Sequence, residues 1–205
     1  MSLTHYSDKH IVRLLATATR RADVSPHDLS RSHHALGRFL ACELVDRLPL
    51  EATTIAHPQG PATGFQLAEE SRISVVCFLR AGLYVTEGVR EVLQHAPLFH
   101  IRPVRALGLS PSEAGGLGNP AGRTFVLVDS VVNTGASLEP VLQFLTASGA
   151  ARIFTLSLVT PESTALRLAS AWPQVDFLFA RVSNNQYTGK GTTDTGNRLF
   201  GTFAD

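Results

Sequence analysis

Apolar residues at helical spacing mark the N-terminal part of the chain. A first group predicts a short helix: Ile11, Leu14, Leu15 and Ala18. A longer helix is predicted after Ser25-Pro26-His27-Asp28, because serine caps a helix, proline fits its first turn and aspartate suits its dipole. Pro49 ends the pattern, whose apolar face comprises Leu29, His33, Leu36, Phe39, Leu40, Leu44 and Leu48.

Further along, apolar runs alternate with helical patterns. Ile73–Leu79 predicts a strand, followed by the turn Arg80-Ala81-Gly82 and a helix to about Gln94. Additional strands are predicted at 98–104, 125–129, 153–159 and 175–180, and helices at about 136–148 and 161–171, before an irregular tail. This alternation indicates an α/β fold with a mostly parallel central sheet flanked by helices. Ligands of such sheets bind beyond the carboxyl ends of the strands.

Composition limits the class of protein. The chain has 205 residues, 44% of them hydrophobic and 17% charged, which favours one folded domain over residues 1–205. A net charge of +1 gives no field that would favour nucleic acid or an anionic membrane. Cys42 and Cys77 lie far apart in apolar surroundings, which predicts buried thiols in a reducing compartment. With neither a signal pattern nor a membrane-spanning stretch, a cytoplasmic location is expected.

The segment from about 105 to 122 is rich in glycine, proline, serine and alanine. It has few apolar residues with which to anchor itself, so it predicts a mobile loop. A loop of this length inside a compact domain is usually functional or disordered.

Val126 to Ser137 carries the clearest chemistry. A buried strand ends on Asp129 and passes into a Thr134-Gly135 turn that opens a helical pattern. The amides at a helix start lack partners and favour an anion, and Ser137 adds a hydroxyl. An acid beside a phosphate site suggests a phosphorylated sugar as ligand. Taken alone, this segment also fits an ordinary strand, turn and helix with an aspartate in the loop.

The tail from Tyr187 to Thr202 combines glycines with hydroxyl side chains and closes on an apolar Leu199-Phe200 pair. Glycine permits close approach of the backbone to a flat ligand. The pattern therefore favours a binding loop over a purely structural tail.

Three segments together resemble the uracil phosphoribosyltransferase family: Leu79 to Leu83, Val128 to Ser137, and Asp194 to Thr202. The resemblance spans nearly the whole chain. It implies the type I phosphoribosyltransferase fold, with a small hood formed by the N- and C-terminal segments, the base-binding part at about 184–202. It also implies transfer of a 5-phosphoribosyl group from phosphoribosyl pyrophosphate to uracil, giving UMP and pyrophosphate in pyrimidine salvage.

The resemblance also implies roles for matching residues. The expected catalytic residues are Arg80, Asp129 and Asp194, with Asp129 facing the ribose hydroxyls and Arg80 binding pyrophosphate beside the amides of Ala81 and Gly82. The expected phosphoribosyl pyrophosphate loop comprises Ser130, Val131, Val132, Asn133, Thr134, Gly135, Ala136 and Ser137, of which the last four hold the 5′-phosphate. Ser130 stands where the family has proline. An arginine at the base of the mobile loop is expected on pyrophosphate, and both Arg102 and Arg105 are candidates.

The base site departs most from the family pattern. The expected base-binding residues are Thr188, Thr193, Asp194, Thr195 and Asn197. Thr193 replaces a family glycine, Asn197 an aspartate and Lys190 a proline, so another nucleobase or heterocycle remains open, as does a non-catalytic nucleotide-binding regulator. The resemblance further implies Mg²⁺ carried by phosphoribosyl pyrophosphate without a protein metal site, and a homodimer or larger homo-oligomer.

Overall fold

A computed structural model describes residues 2–102, 109–186 and 189–202. The strands are β1 (Ser2–His5), β2 (Leu50–His57), β3 (Gly60–Leu67), β4 (Ile73–Phe78), β5 (Leu98–Ile101), β6 (Thr124–Val131), β7 (Arg152–Pro161) and β8 (Val175–Ser183). The α-helices are α1 (His10–Arg20), α2 (Pro26–Val45), α3 (Leu83–Arg90), α4 (Pro111–Gly116), α5 (Glu139–Ala147), α6 (Glu162–Ala171) and α7 (Thr195–Phe200). Short 3-10 turns occupy Glu70–Arg72 and Gly191–Thr193.

Six strands form one sheet in the order β1-β8-β7-β6-β4-β5, and β2 pairs with β3 in a separate antiparallel hairpin. Every pairing in the large sheet is parallel. The predicted α/β architecture is therefore confirmed. Strand β6 lies between β4 and β7, so the loops that follow these strands meet at one edge.

Two apolar layers cover the sheet. On one face α2 and α3 pack on the strands, with Leu40 and Val85 fully buried. On the other face α5 and α6 do the same, with Leu142 and Leu168 fully buried. Near-continuous apolar runs such as β4 are buried on both faces because helices cover both.

The predicted cap of α2 is confirmed, since the hydroxyl of Ser25 accepts a hydrogen bond from the amide of Asp28 at 3.1 Å. The N- and C-terminal segments also meet, as the fold prediction requires. The guanidinium of Arg198 in α7 donates to the carbonyl oxygens of Thr19 and Arg21 at the end of α1, at 3.5 and 2.6 Å.

The structure corrects the expectation of an unanchored loop at 105–122. Its described part, 109–122, contains α4, and Leu117 is buried. The carboxylate of Glu113 accepts hydrogen bonds from the amide of Ser110, at 2.9 Å, and from that of Arg102, at 2.7 Å. Ser110 and Glu113 form a capping box, a signal that the sequence carries and that the glycine content obscured. Movement of this segment stays a prediction.

Other elements differ from the sequence expectation. The tail is helical over α7, because the carboxylate of Asp194 caps it. Helix α5 begins at Glu139, three residues later than predicted. The hairpin β2–β3 was not predicted, since most of its residues are exposed on both faces and no apolar alternation marks it. In the described stretches no helix is both long and apolar enough to cross a bilayer.

Candidate active site

Asp129 lies near the carboxyl end of the central strand β6, two residues before the strand ends. Its carboxylate accepts a hydrogen bond from the amide of Ser130 at 2.7 Å. Burial raises the pKa of Asp129 to about 7, against the lowering effect of the amides of Ser130 and Val131. The carboxyl group therefore changes charge near neutral pH.

The loop from 132 to 138 joins β6 to α5 and offers amides for an anion. The amide of Ala136 is turned toward the hydroxyl of Thr134, 3.3 Å away. Among the hydrogen bonds of the described residues, none uses the amides of Thr134, Gly135 or Ser137. Unpaired amides before a helix start are the groups that hold phosphate in many proteins, so this loop can accept one.

Helix α6 braces that loop, a feature that the sequence did not reveal. Arg167 donates to the carbonyl oxygen of Thr134 at 2.7 Å and pairs with Glu139 at 2.7 Å. The hydroxyl of Thr164 donates to the carbonyl oxygen of Asn133 at 2.8 Å. Gly135 has a φ of +81°, which favours glycine, and leaves room for Arg167. These contacts join residues about thirty positions apart, so no local pattern could predict them.

The turn Arg80-Ala81-Gly82 follows β4 and lies against β6. A Cβ on Gly82 would lie 2.6 Å from the carbonyl oxygen of Phe78 and 2.7 Å from that of Val128, and 3.3 Å from Cα of Asp129. Only glycine permits this approach, which brings the turn beside Asp129. The two predicted substrate loops are therefore neighbours in space.

We expect Gly82→Ala to lower the free energy of unfolding by about 1–3 kcal/mol, because the new methyl group would overlap two backbone carbonyl groups. Thermal denaturation of the purified variant measures this loss. Gly115→Ala is the matched control, since a Cβ there meets no atom within 4 Å. Equal melting temperatures for the two variants would contradict the close contact.

Arg80 is exposed and is held by the C-terminal segment. Its guanidinium donates to the side-chain oxygen of Asn197 at 2.7 Å and to the hydroxyl of Thr202 at 3.1 Å. It also lies over the ring of Phe200, 5.7 Å from the centroid. All of these partners are uncharged, so the positive charge of Arg80 is not neutralised by them.

Asp194 and Asn197 have structural contacts that the sequence did not assign. The carboxylate of Asp194 accepts a hydrogen bond from the amide of Asn197 at 2.9 Å and so caps α7. The side-chain amide of Asn197 donates to the carbonyl oxygen of Gly191 at 3.0 Å. Asp194 and Arg80 flank the same residue, Gly196, which places the carboxylate near the guanidinium. Their predicted roles toward substrate stay predictions.

A cavity of about 680 Å³ opens beneath the C-terminal segment. Predicted base-binding residues Thr193 and Thr195 line it, together with Ser130, Val131 and Asn133 from the predicted sugar loop. The structure thus places two predicted groups on one cavity, whereas Asp129, Arg80 and Asn197 are not among its lining residues. Residues from α1 and α2, such as Ala16 and Leu36, complete the wall and were not predicted.

Some predicted residues are only partly located. Arg105 and Thr188 lie outside the described residues. Arg102 is exposed at the end of β5, where its amide is bound by Glu113. Within the described stretches, no three side chains of the metal-binding types come together.

Comparisons with known proteins show the family and the fold. The chain matches the sequence model of the family described as uracil phosphoribosyltransferase over residues 6–202. Relatives include the uracil phosphoribosyltransferases of Macrococcus caseolyticus, 27% identical over 98% of this chain and 100% of that protein, and of Thermus thermophilus, 27% identical over 95% and 97%. The solved structure of the AQ2163 protein from Aquifex aeolicus shares the fold, with a TM-score of 0.79 at 20% identity over 98% of this chain and 100% of that one.

Proposed function

We propose that this chain, which belongs to the uracil phosphoribosyltransferase family, transfers a 5-phosphoribosyl group from phosphoribosyl pyrophosphate to uracil, giving UMP and pyrophosphate. One observation carries the proposal beyond family membership. The acid at the end of β6, the anion-accepting loop after it and the arginine turn after β4 lie at one edge of the sheet. A sugar that carries a phosphate and a pyrophosphate needs these three groups together.

The proposed reaction breaks the bond between C1 of the ribose and a pyrophosphate oxygen, and a ring nitrogen of the base forms the new bond to C1 and gives up its proton. Positive charge builds on the ribose and negative charge on the leaving pyrophosphate. Asp129, once ionised, accepts hydrogen bonds from the ribose hydroxyls and holds the ring in place. The amides of Thr134, Gly135 and Ser137 hold the 5′-phosphate, and Arg80 stabilises the charge on pyrophosphate.

The proposal includes Mg²⁺ bound to phosphoribosyl pyrophosphate. Magnesium binds through substrate phosphates and one or two carboxylates, so the separate acids Asp129 and Asp194 fit such a role without a dedicated protein site. When bound, the ion would supply positive charge to the pyrophosphate.

The test is pyrophosphate release from phosphoribosyl pyrophosphate and magnesium, with and without uracil. We expect release that depends on uracil, together with calorimetric binding of phosphoribosyl pyrophosphate to the protein alone. Binding without uracil-dependent release would reject uracil and favour another base. A protein that binds no phosphoribosyl pyrophosphate would contradict the transferase proposal and favour a regulator.

We also propose a homodimer, supported by the hairpin β2–β3. Isolated two-stranded hairpins are only marginally stable in water. This hairpin also exposes Leu50 and Phe65 on one face, and the side chain of Phe65 is 72% exposed. A second copy of the chain is the occupant that the family suggests. A cytoplasmic location is proposed as well, on the support of two cysteines that form no disulfide. Of these, Cys77 is buried as predicted, whereas the prediction that Cys42 is buried is wrong, because its side chain is exposed.

We expect the wild-type protein to elute as a dimer and Phe65→Ser to shift it toward the monomer, because the substitution removes the largest exposed apolar side chain of the hairpin. Light scattering coupled to gel filtration measures the mass. Gln59→Ser, at the hairpin turn, is the control and keeps the dimer. A monomeric wild type, or an unchanged mass for Phe65→Ser, would argue against this interface.

A further inference from the structure

The charged residues of the large cavity are all of one sign. Arg20, Arg181 and Arg198 line it, and no aspartate or glutamate is among its lining residues in the described part of the chain. Its histidine, His33, does not add charge at neutral pH, because burial lowers the pKa of His33 to about 4. The cavity is therefore positively charged, and its charge comes from arginines.

One of these arginines is compensated by its own contacts. Arg198 donates to carbonyl oxygens at the end of α1, where the helix dipole is negative. Arg20 and Arg181 differ, since neither side chain forms a hydrogen bond or an ion pair with the described residues. By contrast the neighbouring Arg21 is paired with Asp23 at 2.7 Å. Among the residues that the structure does not describe, the only acidic one is Asp205.

Arg20 is close enough to Arg181 to disfavour the charge of Arg181. The pKa of Arg181 is lowered by burial first and by the charge of Arg20 second. A half-buried charge without a partner costs stability, and an anion placed between two guanidinium groups would offset that cost. Arg20 is exposed and Arg181 half-buried, so an anion could enter past Arg20 and reach Arg181.

A hydroxyl in the same wall also lacks a partner. Ser130 is buried and lines the cavity, and its Oγ, which is itself inaccessible, has no hydrogen-bond partner among the described residues. Buried polar groups without a partner are rare in proteins and call for a ligand or a water. Ser130 stands where the resemblance leads one to expect a proline, so this hydroxyl is a feature of this chain.

The position of the cavity identifies which part of the substrate would meet the arginines. Thr193 and Thr195, expected to contact the base, line the cavity with Arg181. The phosphate-accepting residues Thr134 to Ser137 do not line it. The arginines therefore face the end of the site that holds the base, and the 5′-phosphate has its own loop.

We propose that the base subsite of this chain recognises a carboxylate carried by the pyrimidine ring, through Arg181 and Arg20. This inference rests on the proposed phosphoribosyl transfer and adds to uracil a second acceptor, a uracil ring that carries a carboxylate. Guanidinium groups bind carboxylates through paired hydrogen bonds, which gives both affinity and orientation.

The test compares uracil, uracil bearing a 5- or 6-carboxylate, and the matching uncharged carboxamides, with pyrophosphate release as the readout. We expect one of the carboxylates to exceed its carboxamide in kcat/KM by at least about 10-fold, as charge-assisted hydrogen bonds would give. Arg181→Gln should lower kcat/KM for that carboxylate by about 10- to 100-fold and abolish its preference over the carboxamide. This variant should fold, because the side chain it removes has no partner to lose.

Arg31→Gln is the matched control, since Arg31 is an exposed arginine of α2 that does not line the cavity. Two results would overturn the proposal. One is a wild type that does not prefer either carboxylate to its carboxamide. The other is an Arg181→Gln variant that loses turnover of every base equally with a raised KM for phosphoribosyl pyrophosphate, which would assign the arginine to that substrate.

A separate measurement keeps this inference distinct from the transferase proposal. If no base releases pyrophosphate, the proposed function fails, and thermal shift with the free carboxylated pyrimidines tests the cavity by itself. Stabilisation of the wild type that disappears in Arg181→Gln would support carboxylate recognition. No stabilisation of the wild type would reject it.

Discussion

Asp129→Asn is expected to lower kcat/KM for the transferase reaction by about 10²- to 10³-fold, the range found when one electrostatic group of an active site is removed. The physical reason is the loss of a carboxylate beside the anion-accepting loop, where it would hold the ribose hydroxyls. Asparagine keeps the size of the side chain and an oxygen for the amide of Ser130, which lies 2.7 Å from the present carboxylate. Steady-state pyrophosphate release at pH 8 measures the effect.

The same substitution should stabilise the fold at alkaline pH. Burial raises the pKa of Asp129 from 3.8 to about 7, so the folded protein binds a proton that the unfolded chain has released between these pH values. The stability of the wild type therefore falls as pH rises through this window, and the neutral asparagine avoids the loss. Since Asp129 is partly exposed, we expect a gain of about 1–3 kcal/mol at pH 8 and almost none at pH 4.

Wild-type activity should follow the same ionisation. We expect kcat/KM to increase as pH rises through about 7, because the ionised carboxylate accepts hydrogen bonds from hydroxyl groups and the protonated form is a poorer acceptor. Asp8→Asn is the control for both experiments, as Asp8 is exposed and remote in sequence from the site. An Asp129→Asn variant with normal activity, or one less stable than the wild type at pH 8, would contradict the assigned environment.

Arg80→Ala is expected to lower kcat by about 10²- to 10³-fold with a folded protein, because the guanidinium is the positive group of the turn beside Asp129. Its present partners, Asn197 and Thr202, are neutral, Asn197 is only half-buried and Thr202 is exposed, so the loss of these hydrogen bonds should cost little stability. Rapid measurement of pyrophosphate release, together with a melting curve, separates the two effects.

A lysine at position 80 separates the effect of the positive charge from that of the guanidinium hydrogen bonds. Arg80→Lys keeps the charge but cannot reach both Asn197 and Thr202 in the same way, so we expect activity between that of the wild type and the alanine variant. Arg90→Ala, on the exposed side of α3, is the control and should not change kcat. If Arg80→Ala turned over at the wild-type rate, Arg80 would have no part in stabilising the leaving group.

Local signals in the sequence identified most of the central sheet. Apolar runs such as Ile73–Leu79 are unambiguous because helices cover both faces of their strands, and Ser25-Pro26 starts α2 where capping chemistry requires it. The hairpin β2–β3 was not predicted, because a hairpin that is exposed on both faces has no alternation of apolar and polar residues. Helix α4 was not predicted because the glycines of this segment are typical of loops, although Ser110 and Glu113 form a capping box.

Some residues of the candidate site could be predicted from the sequence, and others could not. Asp129, the Thr134-Gly135 turn and the Arg80 turn could be found from sequence, since each is a short motif at the end of a strand. The brace of Arg167 on Thr134, and the contact of Arg80 with Asn197, join residues that are distant along the chain. Such pairs have no periodicity or spacing that a single sequence could reveal.

By itself the sequence determined most of the central strands and helices, the strand-end motifs and the family that they indicate, because hydrophobic period and turn chemistry are local properties. Only the tertiary structure decided which side chains share a cavity and which charges lack a partner. Arg20 and Arg181 are ordinary arginines in the sequence, 161 positions apart. Folding places both on one cavity without an acid in its described wall, and burial together with the charge of Arg20 disfavours the charge of Arg181 there.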